Sequence, residues 1–364
     1  MGSYEVVPYR PESWESVIAL YNEAFGRTPQ ECRDYLHWKY WRNPYLDESL
    51  LFLALDDNGS VVGMRGFYGT CWRVAGRRVV IPCADDFAIS ARARDKGLMT
   101  LIMRTALDSL ARRGFAYTMN ASGSELTVLQ SLAMGWKSLG PMEPVARLNH
   151  PERIRRAIDR VTRRTPLRRF AREHRGYPPC SFAELDRRAK ESSSGDANIV
   201  VESSPRPEAM AELVASIAVS ERVRHVRDAE FFRWRFSNPT REYRFLYYER
   251  GGTLEGFVAV AGYRRSSLAF NIVDVEARSD LVLAELLESA CTWGRFPAIG
   301  AWLASQSPAA RTLLTRHGFV PTDRSLRARG MPCVLLKKIG SAGNGELVLD
   351  GAAWDIRLVD SMRG

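Results

Sequence analysis

The sequence predicts an α/β (α+β) fold made of two tandem domains, each a mixed, mostly antiparallel twisted sheet flanked by helices. Strand-like apolar runs alternate with runs of helical spacing, and an aromatic segment with its following hairpin occurs twice. The 364 residues are 45% hydrophobic, which supplies enough apolar material for two cores. We predict a first domain at 1–148, a basic helical connector at 149–197, a second domain at 198–340 and a C-terminal tail at 341–364.

A glycine turn separates a strand from a helix in the first domain. An apolar run over 79–89 predicts the strand, and apolar residues from Leu98 to Leu110 recur at helical spacing. Between them stands Arg94-Asp95-Lys96-Gly97. A helix N-terminus offers unpaired N–H groups and a partial positive charge, and Arg94 and Lys96 add two cations. This turn is therefore predicted to bind a pyrophosphate.

A second strand and helix follow. A strand-like run over 115–119 leads through Asn120 to a predicted helix over 123–134. Ser122 and Glu125 have the spacing of a capping box at the start of that helix, and a glycine ends it.

The spacing R-x-x-G-x-[G/A] between a strand and a helix, followed by this second pair, resembles the acyl-CoA loop of the GCN5-related N-acetyltransferases (GNATs). Arg94, Gly97 and Met99 stand at the three pattern positions. The resemblance covers 1–145 and implies transfer of an acetyl or other short acyl group from acetyl-CoA, or another acyl-CoA, to the amine of a small-molecule acceptor. It implies that CoA is bound by Phe87, Ile89, Arg94, Asp95, Lys96, Gly97, Leu98, Met99 and Asn120.

Two adjacent carboxylates are the first candidates for the catalytic base. Asp85 and Asp86 precede the loop, where related enzymes often place an acidic base. Burial would raise the pKa of such a carboxyl group toward a useful range, unless the residue only hydrogen-bonds the backbone. Glu125 is the next candidate. The tyrosine that serves as general acid in related enzymes is replaced by Ser131, which leaves Tyr117 or a water as the acid.

An internal repeat predicts the tandem arrangement. The segment Tyr35–Pro44 is echoed by Phe231–Pro239, and both copies precede a strand and a hairpin. Leu53 to Gly63 and Leu246 to Gly256 have identical spacing. We therefore expect two GNAT-like domains.

The two domains are not equivalent in the loop region. Where the first has its glycine turn, the second has no glycine, and Glu276 and Asp280 would direct negative charge at a phosphate. We predict that only the first of the two domains binds CoA, and that the second completes the acceptor cleft.

Most of the net charge of +10 is concentrated in the connector. Between Pro151 and Arg175, ten arginines stand against three carboxylates, which gives +7. Such a segment favours contact with a phosphorylated acceptor or with an acidic membrane surface. The alternative is a solvated helix whose arginines pair with scattered carboxylates. Nucleic acid is the least favoured partner, because no nucleic-acid motif accompanies the charge.

Composition excludes several other classes. No apolar run approaches the roughly 20 residues that span a bilayer, and the N-terminus has no secretory signal pattern, so we expect a cytoplasmic protein. The six cysteines include no C-x-x-C pair and the five histidines no close pair, which predicts neither a zinc site nor a disulfide framework. Cys83 is interpreted as a buried strand residue rather than a nucleophile.

The tail bears on the acceptor. Trp354 and Asp360 resemble the ending of acetyltransferase-like proteins of bacterial polysaccharide and amino-sugar pathways, which implies an amino-sugar acceptor unless the two residues only pack. Two other classes remain open. One is a FemAB-like transferase that takes aminoacyl groups from tRNA, for which the connector would contact RNA. The other is a non-catalytic CoA-binding pathway protein, which Met99 and the missing tyrosine favour.

Overall fold

The computed structural model describes residues 4–94, 97–122, 125–148, 181–191, 198–217, 222–264, 270–293, 296, 298–304, 306–322, 333–341 and 350–361. Asp95 and Lys96 of the glycine turn lie outside these ranges, as do the ten arginines between Pro151 and Arg175. The part of the connector that is described begins with a helix, Phe182–Glu191.

Strands and helices alternate along the chain as predicted. The first half contains β1 (Glu5–Pro8), α1 (Trp14–Phe25), α2 (Pro29–Leu36), β2 (Leu50–Leu55), β3 (Val61–Val74), β4 (Arg77–Ile89), α3 (Leu98–Arg112), β5 (Tyr117–Ser122), α4 (Glu125–Ala133), β6 (Lys137–Pro141) and β7 (Pro144–Leu148). The second half contains α5 (Phe182–Glu191), β8 (Ile199–Glu202), α6 (Pro207–Ser216), β9 (Val223–His225), α7 (Ala229–Arg235), β10 (Arg241–Arg250), β11 (Thr253–Tyr263), β12 (Phe270–Ala277), α8 (Asp280–Trp293), β13 (Ala298–Trp302), α9 (Pro308–Arg316), β14 (Val320–Pro321), β15 (Cys333–Lys338) and β16 (Trp354–Asp355).

The two sheets repeat one strand order. The first runs β1-β2-β3-β4-β5-β15-β6, with β9 and β16 added beside β3, and the second runs β8-β10-β11-β12-β13-β7-β14. In each sheet the fourth and fifth strands are parallel, whereas the second, third and fourth are antiparallel neighbours. The prediction of two mixed, mostly antiparallel sheets flanked by helices is confirmed.

Each sheet takes its sixth strand from the other half of the chain. β15 lies between β5 and β6, and β7 lies between β13 and β14. One compact unit therefore comprises 1–142, 219–240 and 327–356, and the other comprises 143–218, 241–326 and 357–364. These units differ from the predicted boundaries at 148, 197 and 340, because backbone hydrogen bonding assigns a strand to a sheet regardless of its position along the chain.

The core of the first unit explains why the helix after the glycine turn forms. α3 buries Leu98, Ile102, Ala106 and Leu110 against the sheet, which confirms the predicted helical spacing. Leu101, which belonged to the predicted stripe, is instead 39% exposed. Among the described residues, no helix is long and apolar enough to cross a membrane.

Candidate active site

The strand that carries the carboxylates separates from its parallel neighbour. Within the described residues, β4 pairs with β5 only at Cys83 and Met119. On its other side β4 contains a bulge, because Asp86 and Phe87 both stand opposite Arg65 of β3. The edge of β4 beyond Cys83 is therefore left without strand pairing, so its backbone groups are available to a ligand.

The glycine turn leaves the N-terminus of α3 open. Gly97 adopts the left-handed conformation, with φ of 69°, and no side chain caps the helix. A Cβ atom on Gly97 would meet nothing within 4 Å. Free N–H groups, helix polarity and open space together fit a pyrophosphate, with exposed Arg94 beside the turn.

The neighbouring apolar side chains do not face this space. Leu98 is buried, and Phe87 and Ile89 pack against the same small cluster. Their contribution to a CoA site would therefore come from the backbone. Met99 is half-buried.

Asn120 supplies an unsatisfied donor on β5. The residue is 4% exposed, and its Nδ2 atom has no hydrogen-bond partner in the part of the chain that the structure describes. A buried amide without a partner is costly, so a ligand carbonyl is the kind of group that would satisfy it. Gly97, the uncapped helix and Asn120 thus fit an acyl-CoA.

The corresponding helix start in the second unit is capped by a side chain of its own. Ser279 Oγ accepts the Val282 N–H at 3.3 Å in the first turn of α8, and Asp280 adds an acidic group there. Glu276 is not the unpaired charge that the sequence predicted, because Arg357 Nη2 lies 3.0 Å from its carboxylate. The predicted difference in CoA binding between the two units therefore rests on the helix start rather than on repulsion by Glu276.

Three side chains donate hydrogen bonds to the Asp86 carboxylate. Its carboxylate accepts hydrogen bonds from Tyr21 Oη at 2.9 Å, Tyr40 Oη at 2.6 Å and Lys39 Nζ at 2.6 Å. The residue is 6% exposed and sits in the bulge with φ of 51°, a conformation that Asp tolerates better than most residues. With its oxygen atoms occupied, Asp86 is suited to an anchoring role.

Asp85 has the more accessible carboxylate. Its side chain is 42% exposed, and Lys39 Nζ donates to Oδ2 at 2.7 Å. Burial raises the pKa of this carboxyl group, but the charge and hydrogen bond of Lys39, with Arg65, lower it further, so that the net pKa lies below the ordinary value. The expectation that burial makes this carboxylate more basic is therefore wrong.

Sequence reasoning missed Lys39. Its side chain is fully buried, and its pKa is raised because the Asp85 and Asp86 charges outweigh the effect of burial. The residue lies in a π-helical turn, His37–Trp41, where the Arg42 N–H donates to the His37 carbonyl at 3.1 Å. The available signal was a lone lysine inside an otherwise aromatic segment.

The remaining candidates are placed as follows. Glu125 begins α4, and its side chain lies outside the described residues. Tyr117 and Ser131 are each 4% exposed. Cys83 is confirmed as a buried strand residue, and burial raises the pKa of its thiol to about 11.

The tail residues are buried. Trp354 is fully buried in β16 and meets Trp72 edge-on at a ring distance of 5.1 Å. Asp360 is 7% exposed and accepts the Arg357 N–H at 2.7 Å. Of the two alternatives that the sequence left open for the tail, the structure therefore favours packing over the lining of an acceptor site.

Comparison with known protein families identifies the part of the chain that carries this candidate site. The model of the acetyltransferase (GNAT) domain family matches residues 5–136. No curated protein is matched by the sequence.

Solved structures share the fold across nearly the whole chain. A probable N-acyltransferase from Enterococcus faecalis is 11% identical, with a TM-score of 0.60 over 93% of this chain and 73% of that one. N-myristoyltransferase from Saccharomyces cerevisiae, with bound myristoyl-CoA, is 13% identical, with a TM-score of 0.58 over 98% and 90%. A GCN5-related N-acetyltransferase from Kribbella flavida is 14% identical, with a TM-score of 0.53 over 93% and 71%. At these identities the likeness shows the fold, and together with the family match it supports the prediction of an acyltransferase. Residues 5–136 therefore match the acetyltransferase (GNAT) domain family, and the fold of the chain is similar to that of these solved structures.

Proposed function

We propose that this protein is an N-acyltransferase that moves an acetyl or other short acyl group from acyl-CoA to the amine of a small-molecule acceptor. The observation that carries the proposal is the combination on β4 and α3. An uncapped helix start lies beyond one end of the unpaired edge of β4, and a half-exposed carboxylate, Asp85, lies near the other.

The first unit would hold the CoA. The backbone N–H groups of Gly97, Leu98 and Met99 would bind the pyrophosphate, with Arg94 adding charge and Asp95 and Lys96 in the same loop. The free edge of β4 and the Asn120 amide would bind the arm that leads to the thioester. Bound acyl-CoA would supply the thioester carbonyl that the amine attacks.

Asp85 would receive the acceptor amine. An amine is a nucleophile only after it loses a proton, and Asp85 has an exposed carboxylate that stays ionised at working pH. Its lowered pKa makes it a weak base, so its main contribution would be to attract the ammonium form and stabilise the charge that develops on attack. The leaving thiol needs little help, because a thiol pKa is about 8.5.

The second unit would bind no CoA, because the first turn of α8 is capped by Ser279 and carries Asp280. We propose an amino sugar, with or without a phosphate, as the acceptor. The arginine-rich connector supports an anionic group on the acceptor through its charge alone.

The test is calorimetry with acetyl-CoA on the full chain and on two glycine variants. Gly97→Glu places a side chain and a negative charge at the helix start, so we expect no measurable binding. Gly114→Glu is the matched control, because Gly114 lies at the other end of α3, also has positive φ and also faces open space. We expect the control and the wild type to bind one acetyl-CoA per chain.

Two results would contradict the proposal. Wild-type affinity in a folded Gly97→Glu variant would remove the glycine turn from the site. Two acetyl-CoA molecules per chain would refute the asymmetry between the units.

A further inference from the structure

We propose that Lys39 is a positioning residue of the acyl-transfer site, which holds the Asp85 carboxylate in place for the acceptor amine. The inference rests on the proposed function. Lys39 does not touch the reacting atoms in this scheme. It acts through Asp85.

The ammonium group of Lys39 has a full set of hydrogen-bond acceptors. Nζ donates to Asp85 at 2.7 Å, to Asp86 at 2.6 Å and to the Tyr35 hydroxyl at 3.3 Å. An ammonium group has three N–H donors, so all three directions are used and the orientation of Nζ is determined. The side chain is fully buried, which protects these bonds from competition by water.

The two carboxylates on Lys39 differ in a way that assigns their roles. Asp86 is 6% exposed, and two tyrosine hydroxyls hold it in addition to Lys39. Asp85 is 42% exposed, so part of its carboxylate remains open to an incoming group. Asp86 therefore anchors Lys39, and Lys39 in turn fixes Asp85.

Packing alone does not explain a lysine at this place. A buried lysine is expensive unless it is paired, and the neighbouring positions of the same turn are filled by buried aromatic side chains, Trp38 and Tyr40. The turn that presents Lys39 is π-helical, and such insertions occur frequently at functional sites.

The groups around Asp85 determine what can titrate there. Tyr21 on α1, Tyr35 on α2, Tyr40 in the turn and Tyr68 on β3 all have pKa values raised by burial, as does the thiol of Cys83 on β4, so these groups stay neutral at working pH. Other cations near this cluster include Arg27, which lies over the Tyr35 ring, Arg65 on β3, and Arg235, whose charge acts on Tyr68. Lys39 is the cation with a hydrogen bond to Asp85 among the described residues.

The test compares two variants that share one background. Lys39→Met alone would leave two carboxylates without their shared cation, and this variant would risk unfolding. We therefore compare Asp86→Asn with the double variant Lys39→Met/Asp86→Asn. Asn tolerates the positive φ of position 86. The single variant keeps the pair between Lys39 and Asp85. The double variant loses this pair and has the net charge of the wild type, one unit more negative than that of the single variant.

Two readouts separate positioning from simple support of the fold. Carbon-13 NMR titration of the Asp85 carboxyl group should show a pKa below about 3.9 in the single variant and a pKa higher by about one unit or more in the double variant. The acceptor kcat/KM of the double variant should fall about 10²-fold below that of the single variant, and its acid limb should move to higher pH. Acetyl-CoA affinity should be equal in the two variants. Lys39→Arg in the Asp86→Asn background should keep part of the activity that Lys39→Met loses in that background.

An unchanged Asp85 pKa in the double variant overturns the proposal, whether or not the protein transfers acyl groups. A raised pKa with undiminished kcat/KM overturns it too, because Lys39 would then serve the fold alone. Failure of the proposed function has a different signature, which is normal acetyl-CoA binding by Gly97→Glu or the absence of acyl transfer in the wild type.

Discussion

Trp38 and Trp234 each donate an indole N–H to the backbone carbonyl of the other, at 2.7 and 2.9 Å. Their rings stack at a centroid distance of 5.2 Å with an interplanar angle of 14°. The two residues occupy equivalent positions in the two copies of the aromatic repeat. Each copy therefore makes the same hydrogen bond to the other. Lys39 directly follows one of these tryptophans and Arg235 follows the other, and both cations are fully buried.

The tryptophan pair should be energetically coupled. Trp38→Phe removes one indole donor and part of a buried ring, and we expect it to lower the free energy of unfolding by about 1–3 kcal/mol. Trp234→Phe should have a similar effect. A double-mutant cycle followed by urea denaturation should give a coupling energy of about 0.5–3 kcal/mol. Strict additivity of the two changes would show that the reciprocal bonds contribute nothing.

Asp85 and Asp86 should differ in their effect on catalysis. Asp85→Asn removes the accessible carboxylate, so we expect turnover to fall by about 10²–10⁴-fold while acetyl-CoA affinity stays near the wild-type value. Asp86→Asn is the matched control, in which we expect a smaller loss of turnover and a stability loss of about 1–3 kcal/mol. Steady-state kinetics with saturating acceptor measures both. If both variants keep full turnover, neither carboxylate serves the reaction, and Glu125 is the next residue to test.

The first 148 residues should not fold alone. β15 is the neighbour of both β5 and β6 in the first sheet, and it carries the fully buried Leu335 and Leu336. A fragment of 1–148 would leave β5 with an open edge and β6 without its partner strand. We expect this fragment to show no cooperative urea transition and no acetyl-CoA binding, whereas the full chain shows both. A cooperative transition in the fragment would mean that the strand from the second half is dispensable.

Stability should depend on pH through His225. The residue is buried between the rings of Trp72, Tyr45 and Phe231, and burial lowers its pKa to about 3. Between pH 3 and the unfolded-state pKa of about 6.5, the unfolded chain binds the extra proton, so stability rises with pH at up to about 1.4 kcal/mol per unit. The contribution is complete above the unfolded-state pKa and is lost as the pH falls.

His225→Phe keeps an aromatic ring at this position and removes the titration. The difference in unfolding free energy between wild type and variant, measured by urea denaturation from pH 4 to pH 7, should therefore change with pH below about 6.5 and level off above it. A difference that is constant across this range would mean that His225 does not titrate on unfolding.

The sequence predicted the local features of the fold. The helical spacing after Gly97 and the two hairpins were confirmed because they depend on residues close together in the chain. The repeat also predicted two sheets correctly, since the same spacing of strands builds the same local pairing twice. The positive φ at Gly97 and the open helix start follow from the residue type itself.

Long-range relations required the tertiary structure. The exchange of β7 and β15 between the sheets is a matter of hydrogen bonding between strands far apart in the chain, and no local pattern encodes it. The same holds for Lys39, which comes within hydrogen-bond distance of Asp85 across 46 positions and thereby lowers the pKa that burial alone would have raised. The sequence by itself determined which chemistry-bearing residues surround the turn, and the tertiary structure decided which carboxylate is anchored and which is accessible, because charge and burial depend on neighbours that only folding brings together.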